Sequence, residues 1–344
     1  MVPPPQMVLE DGRVPGSKVE FVQHRLGVDG EEALAAVLKG MDCVFSVITP
    51  HIQLAPKEDF LRTNIEGMRS LLKVCSLTGV PRLVYLSSIA VTNHFVESVN
   101  QAEDVPLPSW ELYHSPYDFS KRRGEELVLG ANEEGRLATC ALRPGGVLLS
   151  PNDFTFRNVL LLPGVTTRVS GTKRVDFMDG RDVVRGMLLA AQRLREKPAE
   201  VGGQAFFLSK GKAIFTTELG TETAKFLGCW TIPVPGALVV FIQICCGVWY
   251  HSRRLLGMQV PGVPPQNFIA MAFLEQTFDN RKAQDLLGFQ PKVSFEDSIA
   301  RICSLYLKQK QLAGNEPRDW RRLKGVSAGL AFCLVLLRIR SSAL

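Results

Sequence analysis

The chain has 344 residues, of which 46% are hydrophobic and 22% charged, and its net charge is +6. That length can bury a large core and the composition is ordinary for a folded protein, which argues against disorder. The basic residues are scattered except near the C-terminus, so nucleic-acid binding is not indicated. The eight cysteines show no Cys-x-x-Cys spacing and no cluster with histidine. We therefore predict that the chain faces the cytosol, that its thiols are reduced and that it has no metal site.

Residues 1–17 lack the elements with which a dinucleotide-binding domain begins. Such a domain opens with a strand, a glycine-rich turn and a helix, because only glycine lets the backbone approach the pyrophosphate at the helix N-terminus. This chain opens Met-Val-Pro-Pro-Pro, and Gly12 and Gly16 follow no apolar strand. We therefore predict that the first β-α-β unit is missing and that the chain binds dinucleotide weakly or not at all.

From Val19 onward, short apolar runs alternate with amphipathic segments at the spacing of an α/β protein. Continuous apolar strands of this kind are typical of a parallel sheet that is buried on both faces. We predict a Rossmann-like, doubly wound parallel sheet. Its strands lie at 42–48, 82–86, 139–142 and 203–208, and a helix covers 64–74.

Without the first two strands of such a sheet, the strand at 42–48 has an open inner edge and an apolar sheet face is uncovered. Pairing of the segment 19–22 with 43–47 is an alternative that would close the edge. It would not recreate helix-terminal amides for a phosphate.

The stretch from Val80 to Lys121 carries the candidate chemistry. A buried strand ends at Ser87 and Ser88, and open α/β sheets bind their ligands at the C-terminal ends of their strands. Pro116 suits the first turn of a helix, on which Tyr117 and Lys121 fall four residues apart, so that an ammonium can lie beneath a phenol.

A phenol titrates near pH ~10, so it needs nearby positive charge to act as a base at neutral pH. We predict an acid–base site with Tyr117 as the base, Lys121 lowering the pKa of the phenol, and Ser88 holding the substrate oxygen. Ser87 is the less favoured substitute for Ser88. The same spacing recurs at Tyr306 and Lys310. No strand ending in paired serines precedes that pair, so we interpret it as structural.

The segment around these residues resembles the active site of the extended short-chain dehydrogenases. Within them it is similar to the 3β-hydroxysteroid dehydrogenase/isomerase family, which includes sterol-4-carboxylate 3-dehydrogenases. The resemblance spans about residues 18–310. It rests on seven matches in order, at 18–47, 63–67, 80–121, 142–146, 277–279, 282–283 and 287–291.

The resemblance implies an enzyme that oxidises the 3β-hydroxyl of a steroid or sterol with NAD or NADP. It implies that Tyr117 and Lys121 also contact the cofactor, that Pro144 and Gly145 line its site, and that Asn64 belongs to a proton relay from Lys121. A helix-surface position for Asn64 is the alternative. Loss of a C4 carboxylate and isomerisation of a Δ5 double bond both remain open as the following step.

A second interpretation belongs to another functional class. The absence of the glycine turn favours a truncated, catalytically impaired family member that binds sterol, or associates with a membrane partner, without turnover. The intact set of Ser88, Tyr117 and Lys121 argues against it.

The pattern predicts an incomplete dinucleotide-binding domain at 1–150, completed by about 174–210. A substrate domain follows at 151–173 and 211–312, and a basic and apolar tail at 313–344. Residues 232–250 carry no charge, and we predict an interfacial helix that faces a membrane. Gly325–Leu337 is too short for a usual span, which favours a surface anchor.

The sequence shows no N-terminal signal peptide, because no charged segment precedes an apolar core. The resemblance implies attachment to the endoplasmic reticulum membrane on its cytosolic side, a steroid or sterol as substrate, and the option of a homodimer.

Overall fold

The structure is a computed structural model. It describes residues 22–52, 55–92, 96–113, 115–148, 151, 165–167, 173–258, 260, 264, 266 and 273–312. The predictions for residues 1–17 and for the tail at 313–344 lie outside the described residues, as does most of the segment 19–22.

A four-stranded parallel sheet forms the first layer, in the order β1-β2-β4-β9. Its strands are β1 (Val44–Ser46), β2 (Arg82–Leu86), β4 (Ala138–Pro144) and β9 (Gln204–Leu208). Each predicted strand is present, and the α/β class with a Rossmann-like parallel sheet is confirmed.

Helices cover both faces of this sheet. The first group lies on one face and comprises α1 (Glu31–Leu38), α2 (Lys57–Leu61), a π-helical turn (Arg62–Glu66), α3 (Gly67–Thr78) and α4 (Pro116–Gly130). The other face is covered by α5 (Gly180–Glu196), which is followed by the short α6 (Pro198–Val201). Because side chains alternate along a strand, Leu83 and Tyr85 of β2 pack into the first group, whereas Val84 packs with α5.

In the described part of the chain, β1 has β2 on one side and no strand on the other. Phe45 pairs in register with Val84, and its side chain is 39% exposed. On α5, which covers the same face, Val184 and Leu188 are 53% and 58% exposed. Within the described residues this is the open edge and uncovered apolar face that the sequence predicts.

A second sheet is mixed and has the order β10-β7-β12-β3. It comprises β3 (Ser98–Gln101), β7 (Arg174–Val175), β10 (Ile214–Phe215) and β12 (Gln276–Phe278). β3 and β7 of this sheet lie in the segments 1–150 and 174–210, which the sequence analysis assigned to the dinucleotide-binding domain, and that division into domains stays a prediction.

The other described elements are two strand pairs, three α-helices, a second π-helical turn (Ala283–Leu287) and two 3₁₀ turns (Ile89–Thr92 and Trp110–Leu112). β5 (Gly146–Leu148) pairs with β8 (Phe177–Asp179), and β6 (Val165–Thr167) pairs with β11 (Ile232–Val234). The helices are α7 (Thr216–Leu227), α8 (Gly236–Leu255) and α9 (Phe295–Leu312). The predicted helix at 232–250 is therefore a short strand followed by a helix, because Pro233 and Pro235 break the first turn.

Candidate active site

The loop after β2 sets the two candidate serines in different surroundings. Ser88 accepts a hydrogen bond from the amide of Ala90 at 3.1 Å, which begins the 3₁₀ turn at Ile89–Thr92. Ser87 is 4% exposed, and its hydroxyl has no hydrogen-bond partner among the described residues. Ser88 is only partly buried and forms a hydrogen bond with Tyr117. The geometry favours Ser88 over Ser87, and a role for Ser88 in holding the substrate oxygen stays a prediction.

α4 begins where the sequence predicts. The Ser115 hydroxyl caps the helix by accepting a hydrogen bond from the Asp118 amide at 3.3 Å, and Pro116 occupies the first turn. Tyr117 then lies in the first turn with its ring edge-on to Phe60, at 5.9 Å between centroids. Lys121 lies one turn further along the helix and is 2% exposed.

The ammonium of Lys121 makes contacts that the spacing did not predict. It donates a hydrogen bond to the Leu86 carbonyl at 2.7 Å and lies 4.6 Å from the centroid of the Tyr85 ring. The sequence led us to expect this ammonium beneath the phenol of Tyr117. The alternation of side chains along β2 points Tyr85 toward α4, and this signal could have identified it.

Burial dominates the protonation of both candidate groups. It raises the pKa of Tyr117 to about 12, although the hydrogen bond with Ser88 acts in the opposite direction. It lowers the pKa of Lys121 to about 7, with the charge of Glu125 acting against it. We expected Lys121 to lower the pKa of Tyr117, whereas in this structure the cost of burying a phenolate raises it, and the charge of Asp118 acts in the same direction.

Asn64 is buried at 2% exposure in the π-helical turn. Its side-chain amide donates to the Ser120 hydroxyl at 2.9 Å and to the Thr49 hydroxyl at 3.3 Å. Ser120 in turn donates to the Tyr117 carbonyl at 2.9 Å. The helix-surface alternative for Asn64 is therefore wrong, and the sequence analysis missed Ser120, which joins Asn64 to the backbone of Tyr117.

Pro144 and Gly145 end β4 beside β9, and the Gly145 amide donates to the Leu208 carbonyl at 3.3 Å. A Cβ atom on Gly145 would lie 2.6 Å from the Asp176 carbonyl oxygen. Glycine is thus required at position 145 because this position lies close to the protein's own backbone at Asp176. A cofactor contact by these two residues stays a prediction.

Glu125 and Arg143 form a buried ion pair next to the site. The Glu125 carboxylate accepts hydrogen bonds from Arg143, the shortest at 2.6 Å, and their side chains are 3% and 7% exposed. Glu125 lies one turn after Lys121 on α4, whereas Arg143 lies on β4. The sequence analysis identified neither residue as part of the site, because the pair forms only when α4 packs on β4.

Comparison with known proteins agrees with this geometry. The 3-beta hydroxysteroid dehydrogenase/isomerase family matches residues 14–230, which is more than half of the chain. The chain belongs to this family. The match ends before α8 and covers the loop after β2, α4 and the first parallel sheet.

Two named relatives are similar to most of this chain. The 3beta-hydroxysteroid-dehydrogenase/decarboxylase isoform 1 of Arabidopsis thaliana is 27% identical, over 81% of this chain and 65% of the relative. The sterol-4-alpha-carboxylate 3-dehydrogenase, decarboxylating, of Homo sapiens is 26% identical, over 78% of this chain and 73% of the relative. The chain spans less than two thirds of the Arabidopsis protein.

Solved structures show the same fold. The structure of MoeE5 in complex with UDP-glucuronic acid and NAD aligns with a TM-score of 0.61 at 22% identity, covering 84% of this chain and 85% of that one. At this level of identity the similarity establishes the family's Rossmann-like fold and no more.

Proposed function

We propose that the protein oxidises the 3β-hydroxyl of a steroid or sterol with NAD or NADP, in steroid or sterol metabolism. One observation carries the proposal. Ser88 and Tyr117, brought from different elements, are hydrogen-bonded to each other at the C-terminal end of β2, with Lys121 one helical turn away. Open α/β sheets bind their ligands at this end of the strands.

The chemistry assigns one role to each side chain. Ser88 holds the substrate hydroxyl by a hydrogen bond, and Tyr117 takes its proton. Lys121 contributes positive charge and a donor at the same end of β2. A bound oxidised nicotinamide would supply the hydride acceptor and additional positive charge. That charge would favour the phenolate of Tyr117, whose pKa of about 12 keeps it protonated at neutral pH in the structure.

The described residues fit one end of the dinucleotide. Ser88, Tyr117 and Lys121 suit the nicotinamide end. In the described ranges no glycine-rich turn leads from a strand into a helix beside β1, so no group there suits the pyrophosphate. We therefore expect isothermal titration calorimetry with NAD and NADP to give an affinity weaker than micromolar, and micromolar binding would contradict this expectation.

Asn64 and Ser120 complete the proposed proton path. The carbonyl oxygen of the Asn64 side chain is buried and has no hydrogen-bond partner among the described residues. Buried polar groups are nearly always hydrogen-bonded, so this atom suits a bound water. A relay from Lys121 would pass through such a water, while Ser120 fixes the orientation of the amide.

The names of the relatives favour one following step. A C4 carboxylate beside the new 3-ketone makes a β-keto acid, which loses carbon dioxide readily. The names of the Arabidopsis and human relatives include decarboxylase or decarboxylating, and we propose a C4-carboxylated sterol as the substrate.

The open β1 edge favours the second candidate, a catalytically impaired member that binds sterol without turnover. The two candidates differ in a single assay, the formation of reduced nicotinamide from a 3β-hydroxysterol at high cofactor concentration. We expect turnover by the natural chain and a loss of several orders of magnitude in Tyr117→Phe. Tyr306→Phe is the matched control and should keep full activity, because Tyr306 belongs to α9 and packs against a separate hydrophobic cluster.

Retained turnover in Tyr117→Phe would remove Tyr117 from the mechanism. Sterol binding by the natural chain with no turnover at any cofactor concentration would favour the impaired candidate.

We also propose that α8 lies on a membrane surface, with the endoplasmic reticulum as the membrane that the family resemblance favours. Phe241, Ile244 and Val248 are 57%, 60% and 62% exposed and fall on one helical face. Arg253 and Arg254 close the helix, where cationic side chains suit anionic headgroups. No helix in the described ranges is long and apolar enough to cross a membrane.

Co-sedimentation with phosphatidylcholine and phosphatidylserine vesicles tests this placement. The double variant Phe241→Glu/Ile244→Glu should bind vesicles more weakly than the natural chain. Leu77→Glu is the control, because Leu77 is 72% exposed on α3, far along the chain from α8. Equal binding by all three proteins would overturn the assignment of α8. Deletion of residues 320–344 tests the contribution of the tail separately.

A further inference from the structure

Among the described residues, no carboxylate forms an ion pair with the buried ammonium of Lys121. On α4, Asp118 lies three residues before Lys121 and Glu125 four residues after it. Glu125 is the acidic group whose charge acts on Lys121, and its carboxylate oxygens accept three hydrogen bonds from Arg143 on β4. Glu125 is thus already neutralised, and it acts on Lys121 only through its charge. Among the described residues, the ammonium donates a hydrogen bond to the Leu86 carbonyl, at 2.7 Å. A buried cation needs more compensation than one neutral acceptor provides.

The ring of Tyr85 supplies a second partner. Tyr85 lies in the middle of β2, is 1% exposed, and presents its ring to the ammonium at 4.6 Å from the centroid. That distance is within the range in which an aromatic face attracts a cation. Tyr85 also stays neutral, because burial raises the pKa of its phenol well above the usual value.

The hydroxyl of Tyr85 does not explain why a tyrosine is present. It is buried and has no hydrogen-bond partner among the described residues. A buried tyrosine hydroxyl normally finds a partner, so in this position the polar end of the side chain contributes little to stability. The ring face is the part of Tyr85 that contacts a functional group.

We propose that the aromatic ring of Tyr85 is a positioning element for Lys121, which holds the buried ammonium at the C-terminal end of β2 and favours its charged form. The inference deepens the proposed function, since a charged Lys121 is what that mechanism requires. The charged and titratable groups around Lys121 are Tyr85 on β2, Tyr117, Asp118 and Glu125 on α4, and Arg143 on β4 through Glu125.

The test measures the protonation of Lys121 directly, without substrate or cofactor. Protein labelled with ¹³C at the lysine ε-carbons is titrated by NMR, and Lys121→Arg identifies the signal of Lys121. We expect Tyr85→Leu to lower the pKa of Lys121 by about one unit, because a desolvated cation–π contact is lost. Tyr85→Phe is the matched control and should leave that pKa nearly unchanged, because the ring remains.

A graded series guards against unfolding of the Tyr85→Leu protein. Phenylalanines with an increasing number of ring fluorines at position 85 keep the shape of the ring while weakening its negative face. The pKa of Lys121 should fall stepwise along the series. A pKa that does not change along the series would overturn the proposal. An equal fall in Tyr85→Phe and Tyr85→Leu would also overturn it, by assigning the effect to the hydroxyl. Neither result depends on whether the chain oxidises a sterol.

Discussion

Because Gly124 has no side chain, α4 packs closely against β2 and the π-helical turn, where the candidate site lies. A Cβ atom at this position would lie 2.8 Å from the Asn64 carbonyl oxygen and 2.9 Å from the Tyr85 hydroxyl oxygen. Both neighbours are buried, and the first is backbone, so neither can move aside cheaply. Gly124→Ala should therefore push α4 away from the sheet.

The magnitude follows from two opposing effects. Alanine in place of glycine in a helix gains about 0.5–1 kcal/mol of helix propensity. Overpacking of a close contact costs about 1–3 kcal/mol, so we expect Gly124→Ala to lower the free energy of unfolding by about 1–2 kcal/mol. Gly130→Ala is the matched control at the end of the same helix, because a Cβ atom there meets nothing within 4 Å.

Urea denaturation followed by circular dichroism measures both variants against the natural chain. The expected order of stability places Gly130→Ala at or above the natural protein and Gly124→Ala below it. If Gly124→Ala were as stable as Gly130→Ala, α4 would have room at this position, and the close seating of Lys121 would need another cause.

Two further predictions concern buried charge. Lys121→Met should raise the free energy of unfolding at pH 7 by up to about 4 kcal/mol, because the folded pKa of about 7 lies below the ordinary 10.5 and the unfolded chain binds the proton more tightly. The natural chain gains stability as the pH rises from 7, so this difference should shrink toward pH ~10, and a constant difference in urea denaturation would contradict the burial argument. Glu125→Leu should cost about 3–5 kcal/mol by leaving Arg143 buried and unpaired, and Glu125→Leu/Arg143→Met should recover most of that loss in the same assay. A loss below about 1 kcal/mol in the single variant would mean that water reaches Arg143.

The sequence alone was sufficient for the local features of the site. Apolar runs predicted the strands that became β1, β2, β4 and β9, because strands buried on both faces are continuously apolar. Pro116 marked the start of α4, because a proline in the first turn satisfies a local rule that needs no tertiary contact. The same local rules placed Tyr117 and Lys121 one turn apart.

The contacts between elements were decided only by the tertiary structure. The partner of Lys121 is Tyr85 of β2, the partner of Asn64 is Ser120, and Arg143 is paired with Glu125. These partners are between 18 and 56 residues apart in sequence, as with Arg143 and Glu125 or Asn64 and Ser120. Spacing along one helix cannot reveal them, since they form only when α4 packs against β2, β4 and the π-helical turn.

Burial decided the protonation of the site in the same way. From the spacing on the helix we expected Lys121 to lower the pKa of Tyr117, whereas the structure raises the pKa of Tyr117 to about 12 and lowers that of Lys121 to about 7. Sequence identifies which groups can titrate, but the depth at which packing buries them sets the cost of their charged forms.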